Sequence, residues 1–311
     1  MKTVLITGGA GFVGSHIVDL LAENSYNVAA VDNLSAGVKE NINEKAVFYN
    51  VDILDEKKLD EVFSREKPDF VIHQAAQVSV RKSMEDPIFD ARVNMIGSAN
   101  VFLLCKKYKV KKVVYAGSGG ARYGEPKYLP CDEKHPCSPI SPYGVSKYAA
   151  EHLLRVFCSD AGIDYSALCY SNVYGPRQDP NGEAGVVAIF LNNMLDGKEC
   201  IINGDGDQTR DFVYVKDVAK ANLMALERNT KEKIFNIGAG KETSVNELFN
   251  AVKKLLGKDA KASHGAAIPG EVYRIYLDVK LAEKELGWKA GCELEKGLKE
   301  TISWFKGKIN K

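Results

Sequence analysis

The sequence has no excess of either charge. Its 311 residues include 42 lysines and arginines and 41 aspartates and glutamates, which gives a formal net charge of +1. Proteins that bind nucleic acid usually present a clustered basic surface, so this balance argues against a nucleic-acid partner. The composition, 45% hydrophobic and 27% charged, is that of a globular protein with a sizeable core.

Long apolar runs are also missing. The first one, residues 4–7, reaches glycines too early to be the core of a signal peptide. No apolar stretch approaches the roughly 20 residues that span a bilayer. We therefore expect a cytoplasmic protein with no membrane partner.

The cysteines form no paired motif. There are seven, an odd number without a repeating spacing, as is typical of reduced thiols in a cytosolic protein. Cys131, His135 and Cys137 lie close together, but they lack the paired spacing of zinc sites. We expect no metal.

The sequence does contain a regular alternation of short Val- and Ile-rich runs with longer segments of helical period. This alternation predicts an α/β fold, a Rossmann doubly wound parallel sheet covered by helices on both faces. The predicted strands are 4–7, 28–32, 46–52, 70–76, 112–118 and 165–171, and the predicted helices are 15–23, 57–67, 90–108 and 146–161.

The alternation of strands and helices becomes less regular after residue 171, and a polar loop follows at 175–185. We expect residues 1–170 to form a Rossmann domain, rejoined by segments near 211–237, and residues 171–311 to form a smaller C-terminal α/β lobe that binds substrate. The predicted elements of the second half are a strand at 211–215 and helices at 186–196, 216–227, 244–256 and 279–286.

A glycine motif lies between the first strand and the first helix. Gly8 would allow the tight turn, Gly11 the close approach of a pyrophosphate, and Gly14 the packing of helix on strand. The first helical residues, Phe12 and Val13, would offer free amide groups and the positive end of the helix dipole to the phosphates. The strand–turn–helix context predicts a dinucleotide site.

An acid at the end of the second strand strengthens this prediction. Asp32 can bind the hydroxyl groups of the adenosine ribose, and its charge would repel a 2′-phosphate, which favours NAD over NADP. The polar loop that follows, with Asn33, Ser35 and Gly37, could wrap the ribose.

Asp52 and Ile53 end the predicted third strand and could hold the adenine. The alternatives are a plain strand end here and, for the glycine motif, a βα turn without a ligand.

A tyrosine and a lysine four residues apart open a later helix. This spacing places Tyr143 and Lys147 on one helical face. An ammonium group near a phenol lowers the pKa of the phenol, so Tyr143 could act as a base near neutral pH.

Together these motifs give the chain a clear resemblance. It is similar to the extended short-chain dehydrogenases/reductases, and most similar to the UDP-glucose 4-epimerase family. The resemblance includes TGGAGFVGSH, HQAAQVSV, YGVSKYAAE, SNVYGPRQDP and GDGDQTRDFVYVKDVA and covers nearly the whole chain. It implies a UDP-hexose substrate and an NAD that stays bound. A tyrosine would remove the proton of the 4-hydroxyl while hydride passes from C4 to NAD, and the 4-keto sugar would turn over and accept the hydride on its other face.

The resemblance also implies roles for single residues. Tyr143 would be the base, and Lys147 its electrostatic partner and a ligand of the nicotinamide ribose. Further residues would line the cofactor or support its site: Ala75, Ala76, Gln77 and Asn94.

On the substrate side, Asn172 would meet the sugar diphosphate, and Arg210 would pair with a phosphate. The alternative for Arg210 is an internal ion pair with Asp211 or Asp217. The remaining substrate residues implied by the resemblance are Ser118, Tyr143, Val186 and Glu271.

Three positions depart from the family pattern. Gly119 stands where a Ser or Thr usually bonds the sugar 4-oxygen, and the nearest hydroxyl is that of Ser118. Neighbouring residues of a strand face opposite ways, so Ser118 need not substitute for it. Ile268 and Cys169 stand where arginines are common, which bears on the nucleotide bound more than on the reaction.

Other reactions of related enzymes fit less well. Gly120 and Ala121 stand where dehydratases carry an Asp-Glu pair and decarboxylases a Glu, so no carboxylate is available at these positions. Simple epimerisation is therefore the least demanding of these reactions. A 4-keto sugar reductase remains open, as does a protein that binds NAD and a sugar nucleotide without turnover. Ile275, at the position that sets pocket size in the family, does not identify the sugar.

Relatives form dimers through two helices that correspond to 90–108 and 146–161. We therefore expect a homodimer, although the same apolar positions could instead be core. They are Val93, Ile96, Val101, Leu104, Leu153, Val156 and Phe157.

Overall fold

The first half of the chain builds a parallel sheet, as the alternating pattern predicts. The computed structural model describes residues 1–180, 185–267 and 272–309. Its strands are β1 (Thr3–Thr7), β2 (Asn27–Asp32), β3 (Val47–Asn50), β4 (Phe70–His73), β5 (Lys112–Ser118), β6 (Asp164–Tyr170), β7 (Asn172–Tyr174), β8 (Cys200–Asn203), β9 (Thr209–Arg210), β10 (Phe212–Tyr214), β11 (Ile234–Ile237), β12 (Thr243–Ser244) and β13 (Ala262–Gly265).

The helices follow the strands in alternation through most of the chain. They are α1 (Phe12–Glu23), α2 (Glu56–Glu66), α3 (Val80–Glu85), α4 (Pro87–Ala91), α5 (Ser98–Lys107), α6 (Gly119–Arg122), α7 (Pro142–Ala161), α8 (Val186–Leu195), α9 (Val215–Glu227), α10 (Val245–Leu256), α11 (Lys280–Leu286) and α12 (Leu294–Ile309). A π-helical segment, Arg92–Gly97, joins α4 to α5, and a 3₁₀ turn occupies Lys39–Asn41.

The central sheet has seven parallel strands in the order β3-β2-β1-β4-β5-β6-β11. This order reverses between β1 and β4, as in a Rossmann fold, and the doubly wound prediction is confirmed. Successive side chains face opposite sides: Ile6 packs in one cluster with Ile17 of α1, and Leu5 packs in another with Phe63 of α2. Each face of the sheet is therefore covered by helices.

The second half of the chain forms its own apolar cluster. Phe190 of α8 meets Phe249 of α10 edge to face at 5.5 Å, and Leu298 of α12 belongs to the same cluster. Short strand pairs lie around it, β8 with β13 and β9 with β12. The chain returns to the central sheet at β11, and the exact division into two domains remains a prediction.

The predicted helix at 90–108 is not one regular α-helix. α4, the π-helical segment and α5 together form a run, Pro87–Lys107, of 21 residues and mean hydropathy 1.2, which by length and composition alone could cross a membrane. By itself such a run is weak evidence for a membrane span. Val101, Phe102 and Leu104 of this run are buried in the core, and core helices have the same composition.

Candidate active site

The loops predicted to hold the dinucleotide follow the carboxyl ends of the first four strands. The glycine motif follows β1, Asp32 ends β2, Asp52 follows β3, and Gln77 follows β4. Ser118 ends β5 at the same edge. In open parallel sheets this edge, near the reversal of strand order, is where ligands bind.

The glycine motif is required by the packing around it. Gly8 has φ +69°, and a Cβ there would lie 2.7 Å from the amide nitrogen of Ala75. A Cβ at Gly14 would lie 2.0 Å from the carbonyl oxygen of Gly8. A Cβ at Gly11 would meet only that same oxygen, at 3.2 Å, so the outer side of the loop is open. These positions fit the three roles that the sequence predicts.

The start of α1 suits an anion. Gly11 at its N-cap provides no side-chain cap, and the first turn has no acidic residue. The amides of the first turn, including Phe12 and Val13, therefore have no partner within their own helix. This arrangement fits the pyrophosphate of a dinucleotide.

Asp32 is buried at the end of β2. Its carboxylate accepts hydrogen bonds from the amides of Ala10 at 3.0 Å and Leu34 at 2.8 Å, and Gly37 lies against it. Burial raises the pKa of Asp32, and the backbone amides oppose that rise. The carboxylate is thus held in one orientation at the place predicted for the adenosine ribose.

The other predicted adenosine residues form one connected loop surface. Asn33 accepts from the Ser35 hydroxyl at 2.7 Å and donates to the Asp52 carboxylate at 2.8 Å. Strand β3 ends at Asn50, so Asp52 and Ile53 lie in the turn after it rather than in the strand. Their role with adenine remains a prediction.

The loop after β4 is tied to the π-helical segment. The amide of Gln77 donates to Asn94 Oδ1 at 2.8 Å, and Asn94 Nδ2 donates back to the Gln77 carbonyl at 3.0 Å. Ala75 bonds to the Thr7 hydroxyl through its amide at 3.3 Å, and Ala76 lies between these contacts, half-buried. Asn94 thus supports this loop from its helix, while the contacts of the loop with a cofactor remain a prediction.

The two residues predicted to act as the catalytic pair lie at the start of α7. Pro142 is the first helical residue, and the Ser141 side chain caps the helix by accepting from the Gly144 amide at 3.1 Å. Tyr143 is half-buried one turn before the buried Lys147, whose Nζ lies 4.4 Å from the centre of the Tyr115 ring.

Ser118 faces Tyr143, although the sequence leaves this open. Burial raises the pKa of Tyr143, hydrogen bonding with the Ser118 hydroxyl lowers it, and the charge of Asp90 raises it further. A Cβ at Gly119 would lie 2.6 Å from Leu277 Cδ1 and 3.0 Å from the Cys169 carbonyl oxygen. A side chain at position 119 would therefore point into the packed interior, whereas the Ser118 hydroxyl reaches Tyr143.

The effect of Lys147 on Tyr143 remains a prediction. The net shift in the pKa of Tyr143 is upward, because burial outweighs the hydrogen bond with Ser118. Burial also lowers the pKa of Lys147 to about 8, and the neighbouring Cys169, Asp90 and Glu151 oppose this shift.

The remaining predicted substrate residues within the described ranges lie on elements outside the central sheet. Asn172 opens β7 two residues beyond Tyr170, which is the strand partner of Ser118. Val186 begins α8, half-buried. Arg210 donates to the carbonyl oxygens of Thr209 at 2.8 Å and Tyr273 at 3.4 Å. Glu271 and Ile268 lie outside the described residues.

The acids considered as partners of Arg210 are engaged elsewhere. Asp211 accepts from the amides of Ala239, Gly240 and Leu277 at 2.7–3.2 Å. Asp217 accepts from the amide of Cys292 at 2.8 Å.

Sequence reasoning missed a buried network behind the pair. Arg122 donates to Glu151 at 2.8 Å and to Cys169 Sγ at 2.7 Å, so a guanidinium reaches the position where an arginine is common in the family. Asp90 and Ser146 are also buried there. The sequence does hold signals for them, since Ser146 adjoins Lys147 and Asp90 precedes Asn94 by four residues, but each is ordinary in isolation.

The three residues considered for a metal have other partners. His135 accepts the Lys127 amide at Nε2 (2.9 Å), and its Nδ1 lies 2.8 Å from the Pro136 carbonyl. Cys137 Sγ lies 3.4 Å from the Arg122 guanidinium, and Cys131 Sγ lies 3.7 Å from the Tyr128 carbonyl oxygen. No metal-binding cluster of three His, Cys, Asp or Glu residues occurs in residues 1–180, 185–267 and 272–309.

Comparison with known proteins agrees with this geometry. Residues 4–238 match the model of the NAD dependent epimerase/dehydratase family. A provisionally named UDP-glucose 4-epimerase of Methanocaldococcus jannaschii is 55% identical over 97% of this chain and 98% of its own length.

Two solved structures are similar throughout. UDP-glucose 4-epimerase of Thermotoga maritima, with UDP-glucose, has a TM-score of 0.97 and 47% identity and covers 99% of this chain and 100% of that one. UDP-glucose 4-epimerase of Thermus thermophilus, in complex with NAD, has a TM-score of 0.94 and 41% identity over 98% of this chain and 99% of that one. The protein therefore belongs to the NAD-dependent epimerase/dehydratase family.

Proposed function

We propose that this protein interconverts UDP-glucose and UDP-galactose by NAD-dependent epimerisation at C4. The observation that supports this most is the hydrogen bond between the Ser118 hydroxyl and Tyr143, one helical turn from the buried Lys147, beside the sheet that also carries the glycine motif. Two hydroxyl groups and a buried amine suit proton transfer at a sugar alcohol.

NAD fits the described residues. The open side of Gly11, the uncapped start of α1 and the buried Asp32 carboxylate suit its pyrophosphate and its adenosine ribose. When bound, NAD would take up the hydride from C4 and return it.

The side chains would handle the proton. Tyr143 would remove the proton of the 4-hydroxyl as the C4–H bond breaks, leaving a 4-keto sugar. Ser118 would hold the 4-oxygen by a hydrogen bond, and the Lys147 ammonium would favour the phenolate electrostatically. After the sugar turns over, Tyr143 would return its proton to the 4-oxygen, so the reaction has no net redox change.

The substrate would be held by its diphosphate. We assign this role to Arg210, whose planar guanidinium suits phosphate oxygens, with Asn172 beside it. Val186 and Glu271 remain proposed substrate residues. The glucose/galactose pair rests on the similarity to UDP-glucose 4-epimerases, because Ile275 is buried against Tyr123 and does not identify the sugar.

We further propose a homodimer. The run Pro87–Lys107 and α7 share exposed apolar side chains, which is unusual for a free surface. Of the residues predicted for this interface, Val101 and Leu104 are core, and Val93, Leu153 and Phe157 are half-buried. The exposed apolar side chains of the two segments are Ile88, Phe89, Ile96, Leu103, Val145 and Val156.

A cytoplasmic location and a role in galactose metabolism fit the same proposal. All seven cysteines are free thiols, as expected in a reducing compartment.

Isotope labelling tests the proposed reaction. UDP-galactose carrying deuterium at C4 should give UDP-glucose that retains the deuterium at C4 in ordinary water, because the hydride returns to the carbon it left. Loss of the label to solvent would contradict this route.

A further inference from the structure

A buried carboxylate lies behind the catalytic pair. Asp90 of α4 is 1% exposed and accepts hydrogen bonds from Gln77 Nε2 at 2.7 Å, Asn94 Nδ2 at 3.1 Å and the Ser146 hydroxyl at 2.5 Å. Two of these three donors are amides, which cannot accept in return at nitrogen, so the contacts suit an ionised carboxylate.

This carboxylate has no contact ion pair. Among residues 1–180, 185–267 and 272–309, no Lys, Arg or His nitrogen is paired with Asp90 within 4.0 Å. A buried charge without a contact partner acts over a longer range, because the surrounding dielectric is low. The buried cation nearest in the chain is Lys147, which directly follows Ser146.

The same carboxylate joins the parts of the site mechanically. Gln77 belongs to the loop predicted to line the cofactor, Asn94 to the π-helical segment, and Ser146 to the first turns of α7 between Tyr143 and Lys147. Asn94 Nδ2 also lies 3.0 Å from the Ser146 hydroxyl, which closes the network. π-Helical turns are rare and often occur at functional sites.

We propose that Asp90 is a positioning residue whose negative charge sets the protonation balance of Tyr143 and Lys147 and whose hydrogen bonds fix the cofactor loop to α7. The inference rests on the proposed function. The charge of Asp90 raises the pKa of both Tyr143 and Lys147, so it acts on both members of the pair in one direction.

Other titratable groups face the pair from each neighbouring element. Glu151 lies on α7 itself, Cys169 on β6, Tyr115 on β5 and His73 on β4. Glu151 already forms an ion pair with Arg122, and His73 is neutral because burial lowers its pKa to about 3. Asp90 is therefore the acid whose removal should shift both the acid limb and the alkaline limb of the pH profile of kcat/KM.

Asp90→Asn tests the proposal. An asparagine can keep the network by accepting from Gln77 and Asn94 and donating to Ser146, while the charge is lost. We expect the acid and alkaline limbs of kcat/KM both to move to lower pH by roughly half a unit to one unit. A lower kcat with both limbs unmoved would overturn the proposal and leave Asp90 only a structural role.

Two variants serve as controls. Asp86→Asn makes the same change at the exposed N-cap of α4, where asparagine also caps well, and should leave both limbs in place. Ser146→Ala keeps the Asp90 charge, so it should lower kcat without moving the limbs.

A second measurement does not depend on turnover. The pKa of Lys147, measured by NMR of its side-chain nitrogen, should fall in Asp90→Asn and stay unchanged in Asp86→Asn. An unchanged Lys147 pKa in Asp90→Asn would overturn the inference. Absence of epimerisation by the wild type would instead count against the proposed function.

Discussion

Two glycines at the start of α6 differ in the room that the structure leaves for a side chain. Gly119 and Gly120 are adjacent, but a Cβ at Gly119 would meet Leu277 and the Cys169 carbonyl, whereas a Cβ at Gly120 has nothing within 4 Å. Gly119→Ala should therefore lower the free energy of unfolding by roughly 1–3 kcal/mol. Gly120→Ala should leave it almost unchanged, and urea unfolding of both variants measures the difference. Equal stabilities would show that position 119 has room for a side chain.

The titration of Lys147 predicts a pH dependence of kcat/KM. Its pKa is lowered to about 8, so the ammonium is present below that pH and is lost above it. The value of kcat/KM should therefore decline as the pH rises through 8. Lys147→Arg, which stays charged, should be less active but should show no such decline up to about pH 10. The same alkaline limb in that variant would assign it to another group.

The residue scale also shows what the sequence can and cannot predict. Asp32, Tyr143 and Lys147 belong to local motifs with a fixed spacing. Asp32 ends β2, and Tyr143 and Lys147 lie one turn apart on α7. Asp90 and Ser146 lie 56 residues apart and meet only through packing. No local pattern distinguishes them from ordinary helix residues.

At the scale of elements, Asp211 connects segments that are distant in sequence. Its carboxylate, at the start of β10, accepts from Ala239 and Gly240 after β11, from Leu277 and from Ser171 after β6. Burial raises its pKa to about 6, against these hydrogen bonds.

Asp211→Asn should destabilise this junction. The side-chain NH2 group of the asparagine would face at least one backbone N–H group, and two donors cannot bond to each other. We therefore expect a loss of roughly 1–3 kcal/mol in the free energy of unfolding at pH 7. Asp207→Asn, at an exposed position, should cost little. Thermal or urea unfolding of the two variants tests this, and equal stability would mean that the junction tolerates an amide.

Elements differ in how well the sequence predicts them. Long helices such as α7 and buried strands such as β5 have a period that shows directly in the residues. The strand pairs β8–β13 and β9–β12 are two to four residues long and exist only through tertiary pairing. The π-helical turn at Arg92–Gly97 interrupts a helix whose apolar pattern continues through it, so only its existence as a helix was predictable.

For the whole molecule, the exposed apolar face predicts association between copies. Ile96 and Val156 are more than half exposed, at 56% and 57%. The double variant Ile96→Glu/Val156→Glu should shift the native mass from twice the chain mass of 34.1 kDa to a single chain. Val47→Glu, at an exposed apolar position on the edge strand β3, should leave the mass unchanged. A wild type that sedimented as one chain would contradict the proposed dimer.

The most direct measurement is incubation of the purified protein with UDP-galactose, without added NAD, followed by separation of UDP-glucose and UDP-galactose. We predict conversion by the wild type and a loss of at least roughly 100-fold in Tyr143→Phe, which lacks the hydroxyl that transfers the proton. No conversion by the wild type, even when NAD is supplied, would contradict 4-epimerisation of this sugar pair.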